Sequence, residues 1–129
     1  MEQAVRNPIG WFEIYVDDMA RARAFYEAML ECQLQELPNA PGPEAMLVFP
    51  SGGPGAPGAT GSLVQMEGVK AGGNSTLVYF SCEDCAVQAA RAAQHGGRIS
   101  KEKFSIGEYG FIALVIDTEG NMIGLYSQQ

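Results

Sequence analysis

One histidine, one tryptophan and three cysteines are all that 129 positions hold of those residues. A lone histidine leaves little from which to build a Ser-His-Asp or Cys-His triad. Three cysteines, an odd number, do not make a disulfide framework. Bases are scarce as well: eight Lys and Arg stand against fifteen Asp and Glu, a net charge of −7. Phosphate recognition needs clustered Lys and Arg, so no nucleic-acid partner is expected. Docking on an anionic membrane is disfavoured by the same charge. The longest apolar run, Phe111 to Ile116, falls far short of a membrane span. The first ten residues, MEQAVRNPIG, lack the apolar core of a signal peptide. The expected compartment is therefore the cytosol.

What is present suits a globular chain: 47% hydrophobic and 18% charged residues. A chain of this length is one domain by size and can bury roughly two thirds of its unfolded surface without staples. Every proline but Pro8 falls between Pro38 and Pro57. The stretch from Pro50 to Gly61 reads as a loop, because its prolines lack N–H donors and its glycines favour turns. A second loop spans Gly68 to Asn74.

The flanking segments resemble each other. Trp11–Val16 reads as a strand. Asp17-Asp18 then precedes a helix over Met19–Leu30, with Asp18 as its N-cap. Leu77–Cys82 is again a strand, and Glu83-Asp84 precedes a helix over Cys85–His95 closed by Gly96-Gly97. A shift of 66 residues lays Asp18 on Asp84 and Ala24 on Ala90. Later strands are expected at Arg98–Phe104, Phe111–Asp117 and Met122–Ser127, with a hairpin turn at Thr118–Asn121. Matching strands in the first copy fall near Glu36–Pro38, at Met46–Phe49 and at Ser62–Met66. The predicted fold class is α+β: one domain over 1–129, made of two βαβββ modules (8–68 and 76–129) joined by a linker at 69–75. Their strands should form a curved mixed sheet around a cup-shaped cleft.

Two segments, GWFEIYVDDMARARAFYEAML and GFIALVIDTEGNMIGLYS, resemble the vicinal oxygen chelate superfamily, which includes glyoxalase I, bleomycin resistance proteins and extradiol dioxygenases. The first is similar to that family's strand, acidic turn and "A-x-x-F-Y" helix. The second is similar to its closing "D-x-E-G-N-x-I-x-L" hairpin. The resemblance implies a divalent metal in the cup, held by His, Gln or Glu on the first and last strands of each module. Carried over by position, those places fall on Trp11, Leu77 and Gly124, and on or beside Ser62. None offers a metal ligand of the required type. The expectation is therefore no cofactor and no protein-held metal, without Lewis-acid polarisation of vicinal oxygens.

Strand alternation then predicts the lining of the cup. If Trp11 faces it, so do Glu13 and Tyr15, while Phe12, Ile14 and Val16 pack inward. Tyr79 and Tyr126 would face it from the second module, and Ser62 from the first. An aromatic lining with one carboxylate suits a flat, partly apolar or cationic molecule. Glu13 is the candidate general base. Glu108 and Tyr109, between glycines before the penultimate strand, are candidate rim contacts. The alternatives are aromatics that only fill the cup or face a second copy, and a plain solvated turn at the rim.

Three other signals carry less. Gly53-Pro-Gly-Ala-Pro-Gly58 matches G-x-G-x-x-G in letters but contains prolines and leads into a strand, so a loop is expected. Cys82-Glu-Asp-Cys85 has acidic neighbours that oppose thiolate formation. His95 stands at a helix end, and a zinc set with Cys32, Cys82 and Cys85 would have only one close pair. Arg21, Arg23, Arg91, Lys101 and Lys103 read as solvated. The expected function is binding of a small molecule by a homodimer. A glyoxalase- or dioxygenase-related enzyme (lyase, isomerase or oxygenase) using Glu13 or a substrate-borne metal, and a non-catalytic interaction module, are the alternatives.

Overall fold

A computed structural model describes residues 7–37 and 45–129. The chain runs β1 (Phe12–Tyr15), α1 (Met19–Leu30), β2 (Gln35–Glu36), β3 (Ala45–Val48), β4 (Gly61–Gln65), β5 (Tyr79–Ser81), α2 (Cys85–Gln94), β6 (Arg98–Ser105), β7 (Phe111–Ile116) and β8 (Met122–Ser127). A short 3-10 turn over Gly107–Tyr109 separates β6 from β7. Two four-stranded mixed sheets result, ordered β1-β4-β3-β2 and β5-β8-β7-β6. In each, the first and last strands of the segment pair in parallel and the others pair antiparallel.

Both helices start where an acidic side chain can cap them. Asp18 Oδ1 accepts from the Arg21 N–H, and Asp84 Oδ1 from the Ala86 N–H. The second helix ends one residue earlier than its sequence suggests. The Gly97 N–H reaches back to the Ala92 carbonyl, and Gly96 takes the left-handed conformation that this turn requires. Strands β1 and β5 are shorter than expected, and Pro38 lies outside the described residues.

The core lies between helices and sheets. Ala22, Phe25, Tyr26 and Met29 of α1 join Cys85, Ala89 and Ala92 of α2 over Ile14, Leu47, Leu63, Ala113, Val115, Ile123 and Leu125. Gly97 permits the close packing of α1, since a Cβ there would stand 2.6 Å from the Phe25 ring. A polar latch ties α1 to the turn between β7 and β8. Tyr26 donates to Asp117 Oδ2 at 2.5 Å in a buried setting. Glu119, its side chain fully buried, accepts from Arg21 and from the Asp17 and Asp18 N–H groups. Arg21 is thus an ion-pair partner and not simply a solvated base. Lys103 likewise meets Asp84, and Arg91 meets Glu31.

Gly53, Gly55 and Gly58 all sit at positive φ in an irregular stretch that leads into β4. No helix follows them, so a dinucleotide loop is absent there. The thiols are no redox pair in reach of solvent: Cys85 is fully buried, and burial first, then Cys85, raise Cys82 to about 11. His95 Nδ1 lies 2.9 Å from the Arg91 carbonyl, closing the helix end.

Candidate functional site

On β1 the side chains alternate as the strand period dictates. Ile14 and Val16 are buried toward the helices, whereas Trp11 and Glu13 are exposed and Tyr15 half-buried on the open face. Trp11 Nε1 donates to Glu13 Oε2 at 3.2 Å, and the Tyr15 hydroxyl donates to Glu13 Oε1 at 2.8 Å. A carboxylate held between two aromatic side chains, one donor on each oxygen, therefore stands on the sheet surface.

Ser62 is the cross-strand partner of Glu13. It is 0% exposed, and its Oγ has no hydrogen-bond partner. In the second sheet Tyr79 is the cross-strand partner of Gly124. The 66-residue shift that lays Trp11 on Leu77 also lays Glu13 on Tyr79. Register thus makes Ser62 and Gly124 equivalent positions in the two sheets.

The four residues that the resemblance assigns to metal-ligand positions do not fit a metal in their chemistry. Trp11 is engaged as a donor, Leu77 is apolar and Ser62 is buried. At Gly124 a Cβ would come 2.3 Å from the Tyr79 ring, so that ring fills the space a ligand side chain would need. Among the described residues no group of three or more His, Cys, Asp or Glu side chains could hold a metal ion. That includes the set of Cys32, Cys82, Cys85 and His95.

The rim is tied to the sheet. The Tyr126 hydroxyl donates to the Tyr109 carbonyl, anchoring the 3-10 turn that carries Glu108 and the exposed Tyr109 side chain. Glu13, Tyr15 and Ser62 belong to the first sheet, and Trp11 immediately precedes β1. Tyr79, Glu108, Tyr109 and Tyr126 stand on or beside the second. A cavity of about 430 Å³ opens along β1 and is lined by Glu13, Tyr15, Lys70, Asn74, Val78 and Met122 among others. Lys70 and Asn74 belong to a stretch that reads as plain loop. Asn74 is held by bonds to the Thr76 and Met122 carbonyls. Its signal in the sequence is an Asn among glycines, too common to single out.

The open face of the second sheet carries more than tyrosines. Ile112, Leu114 and Ile116 pair with Tyr126, Gly124 and Met122, and all three are only half-buried. Because Phe111–Ile116 is apolar throughout, alternation could not separate its two faces.

The family model described as Glyoxalase/Bleomycin resistance protein/Dioxygenase superfamily matches residues 8–125. Among solved structures, a glyoxalase/bleomycin resistance protein from Albidiferax ferrireducens T118 is similar at TM-score 0.71 and 21% identity, covering 94% of this chain and 99% of that one. A glyoxalase/bleomycin resistance protein/dioxygenase family enzyme from Burkholderia phytofirmans PsJN is similar at TM-score 0.69 and 15% identity, covering 93% and 98%. Glyoxalase I from Zea mays is similar at TM-score 0.71 and 19% identity, covering 94% of this chain but 46% of that one. At these identities the likeness is one of fold. No curated protein matches the chain.

Proposed function

Because the chain belongs to the glyoxalase/bleomycin resistance protein/dioxygenase superfamily, we propose that it uses the fold to bind a small, flat, partly aromatic or cationic molecule without a protein-held metal. The observation that carries this is the Glu13 carboxylate set between Trp11 and Tyr15 on an exposed face. A negative group among aromatic side chains attracts a delocalised cation. Tyr79 across Gly124 extends the aromatic surface and occupies the place of a metal ligand. Glu108, Tyr109 and Tyr126 complete the proposed lining and rim, whereas Ser62, 0% exposed beside Glu13, offers no surface to a ligand.

Trp11 is the only tryptophan, so its emission reports the site. N-methylquinolinium should quench it saturably, and neutral quinoline should bind at least about tenfold more weakly. Glu13→Gln should remove most of that preference. Equal binding of the two probes, or a preference that survives Glu13→Gln, would overturn the proposal. The rival role for Glu13, a general base within a 430 Å³ cavity, has a different signature. There Glu13→Gln would abolish turnover of a substrate while leaving its binding intact.

We further infer a homodimer in the cytosol. The half-buried strip of Ile112, Leu114 and Ile116 asks for cover, which a second copy supplies. Three free cysteines suit a reducing compartment. No helix among the described residues is long and apolar enough to cross a membrane.

A further inference from the structure

The 430 Å³ cavity meets β1 along its edge as well as at its open face. All four residues of the strand, Phe12–Tyr15, line it in succession. Successive side chains of a strand point to opposite faces, so a wall of four in a row is the strand's edge. β1 stands at the end of its sheet and pairs with β4 alone, which leaves this edge without a strand.

Ladder parity says which main-chain groups stand there. The Val16 N–H, just past β1, donates to the Val64 carbonyl, so the even-numbered residues bond to β4. The Tyr15 carbonyl accepts from Asn121 Nδ2 instead. The odd-numbered residues thus turn their N–H and C=O groups away from β4, and Glu13 lies in the middle of that edge. Among the described residues no group bonds the Glu13 N–H or the Glu13 carbonyl. In an antiparallel pair one residue exchanges two such bonds with the single residue opposite it. An amino-acid residue held between two amides supplies the matching donor and acceptor.

The other walls narrow the ligand. Val69 is exposed, Val78 and Met122 are half-buried, and all three line the cavity, so they offer apolar surface to a side chain. The net charge of −7 and the neighbouring Glu13 carboxylate disfavour an anion, so the carboxyl end is masked. Asn121 fixes the spacing of the walls. Its Nδ2 bonds the Tyr15 carbonyl on β1, and its Oδ1 accepts from the Gly72 N–H on the far side at 2.7 Å. A site held in this way loses little freedom when it is filled.

We propose that the cavity binds a neutral, N-acylated and carboxyl-amidated apolar amino acid through the main chain of Glu13. This goes beyond the cation reading, because the Glu13 carboxylate takes no part. The probes are N-acetylleucine N′-methylamide and its ester analogue, alike in shape, in which oxygen replaces the leucine N–H. Nitrogen-15-labelled protein is titrated with each, and the backbone N–H signals of Glu13 and Val78 are followed. The amide probe should move both saturably, with the Glu13 proton shifting downfield as it becomes bonded. It should bind about fivefold or more tightly than the ester. No saturable shift by about 10 mM of the amide probe would overturn the proposal. So would equal binding of the two probes, or shifts that leave Glu13 unmoved. Both probes are neutral, so failure here is distinct from failure of N-methylquinolinium to bind at the carboxylate. The comparison uses the wild-type chain and needs no variant to fold.

Discussion

Gly124 has no side chain, and the reason stands across the strand in Tyr79. The ring lies where a Cβ would be, 2.3 Å from its nearest atom. Tyr79 is 45% exposed, so the ring can swing away, and the backbone need not move. Gly124→Ala should therefore fold with a loss of about 1 kcal/mol and displace the ring. The Tyr79 ring signals in an NMR spectrum would report the displacement. Unchanged ring shifts in Gly124→Ala would contradict the packing described. At this scale much was legible beforehand. The parity of Trp11, Glu13 and Tyr15 follows from the apolar character of Phe12, Ile14 and Val16, since one face of a strand had to be buried. The fate of Gly124 was not legible, because nothing in a sequence says which ring will cross a glycine.

Element boundaries followed from local chemistry where that chemistry is strong. Asp18 and Asp84 cap their helices, and Gly96 ends the second, as the residue types demand. What escaped was a contact between elements far apart in sequence. Asp117 reads as the end of a strand and Glu119 as part of a hairpin turn, yet they bind Tyr26 and Arg21 on α1. Burial alone would raise the pKa of Glu119. Arg21, the Asp18 N–H, Thr118 and the Asp17 N–H outweigh it and hold the group at about 2, against an ordinary 4.5. A carboxylate with a depressed folded pKa stabilises the fold fully above its unfolded value. That contribution is lost as pH falls from about 4.5 to about 2. Its size is about 2 kcal/mol once screening at half-exposed Arg21 is allowed for. Denaturant unfolding at pH 7 and at low pH checks this: Glu119→Gln should flatten the acid limb between those values. An acid limb as steep in the variant as in the wild type would contradict the latch.

For the whole molecule, two sheets share one core on the helix side, and their other faces are partly exposed. The repeat of strand, acidic pair and helix made this α+β arrangement legible, because each copy must bury one apolar face. Which surface a second copy would cover could not be read, since β7 is apolar on both sides. If the strip of Ile112, Leu114 and Ile116 is the contact, sedimentation should give a dimer at about 10 μM, and Leu114→Lys should give a monomer. A wild-type monomer at that concentration would contradict the assembly.

The chain keeps the superfamily's fold, and the central proposal is that it works without a protein-held metal. Elemental analysis tests it most directly, on untagged protein purified without chelator, then incubated with nickel, zinc, iron or manganese and desalted. If Trp11, Ser62, Leu77 and Gly124 stand at the ligand positions, as the resemblance implies, less than about a tenth of an equivalent of any metal should remain. Near-stoichiometric metal that survives desalting would contradict the claim and return metal chemistry to the open face.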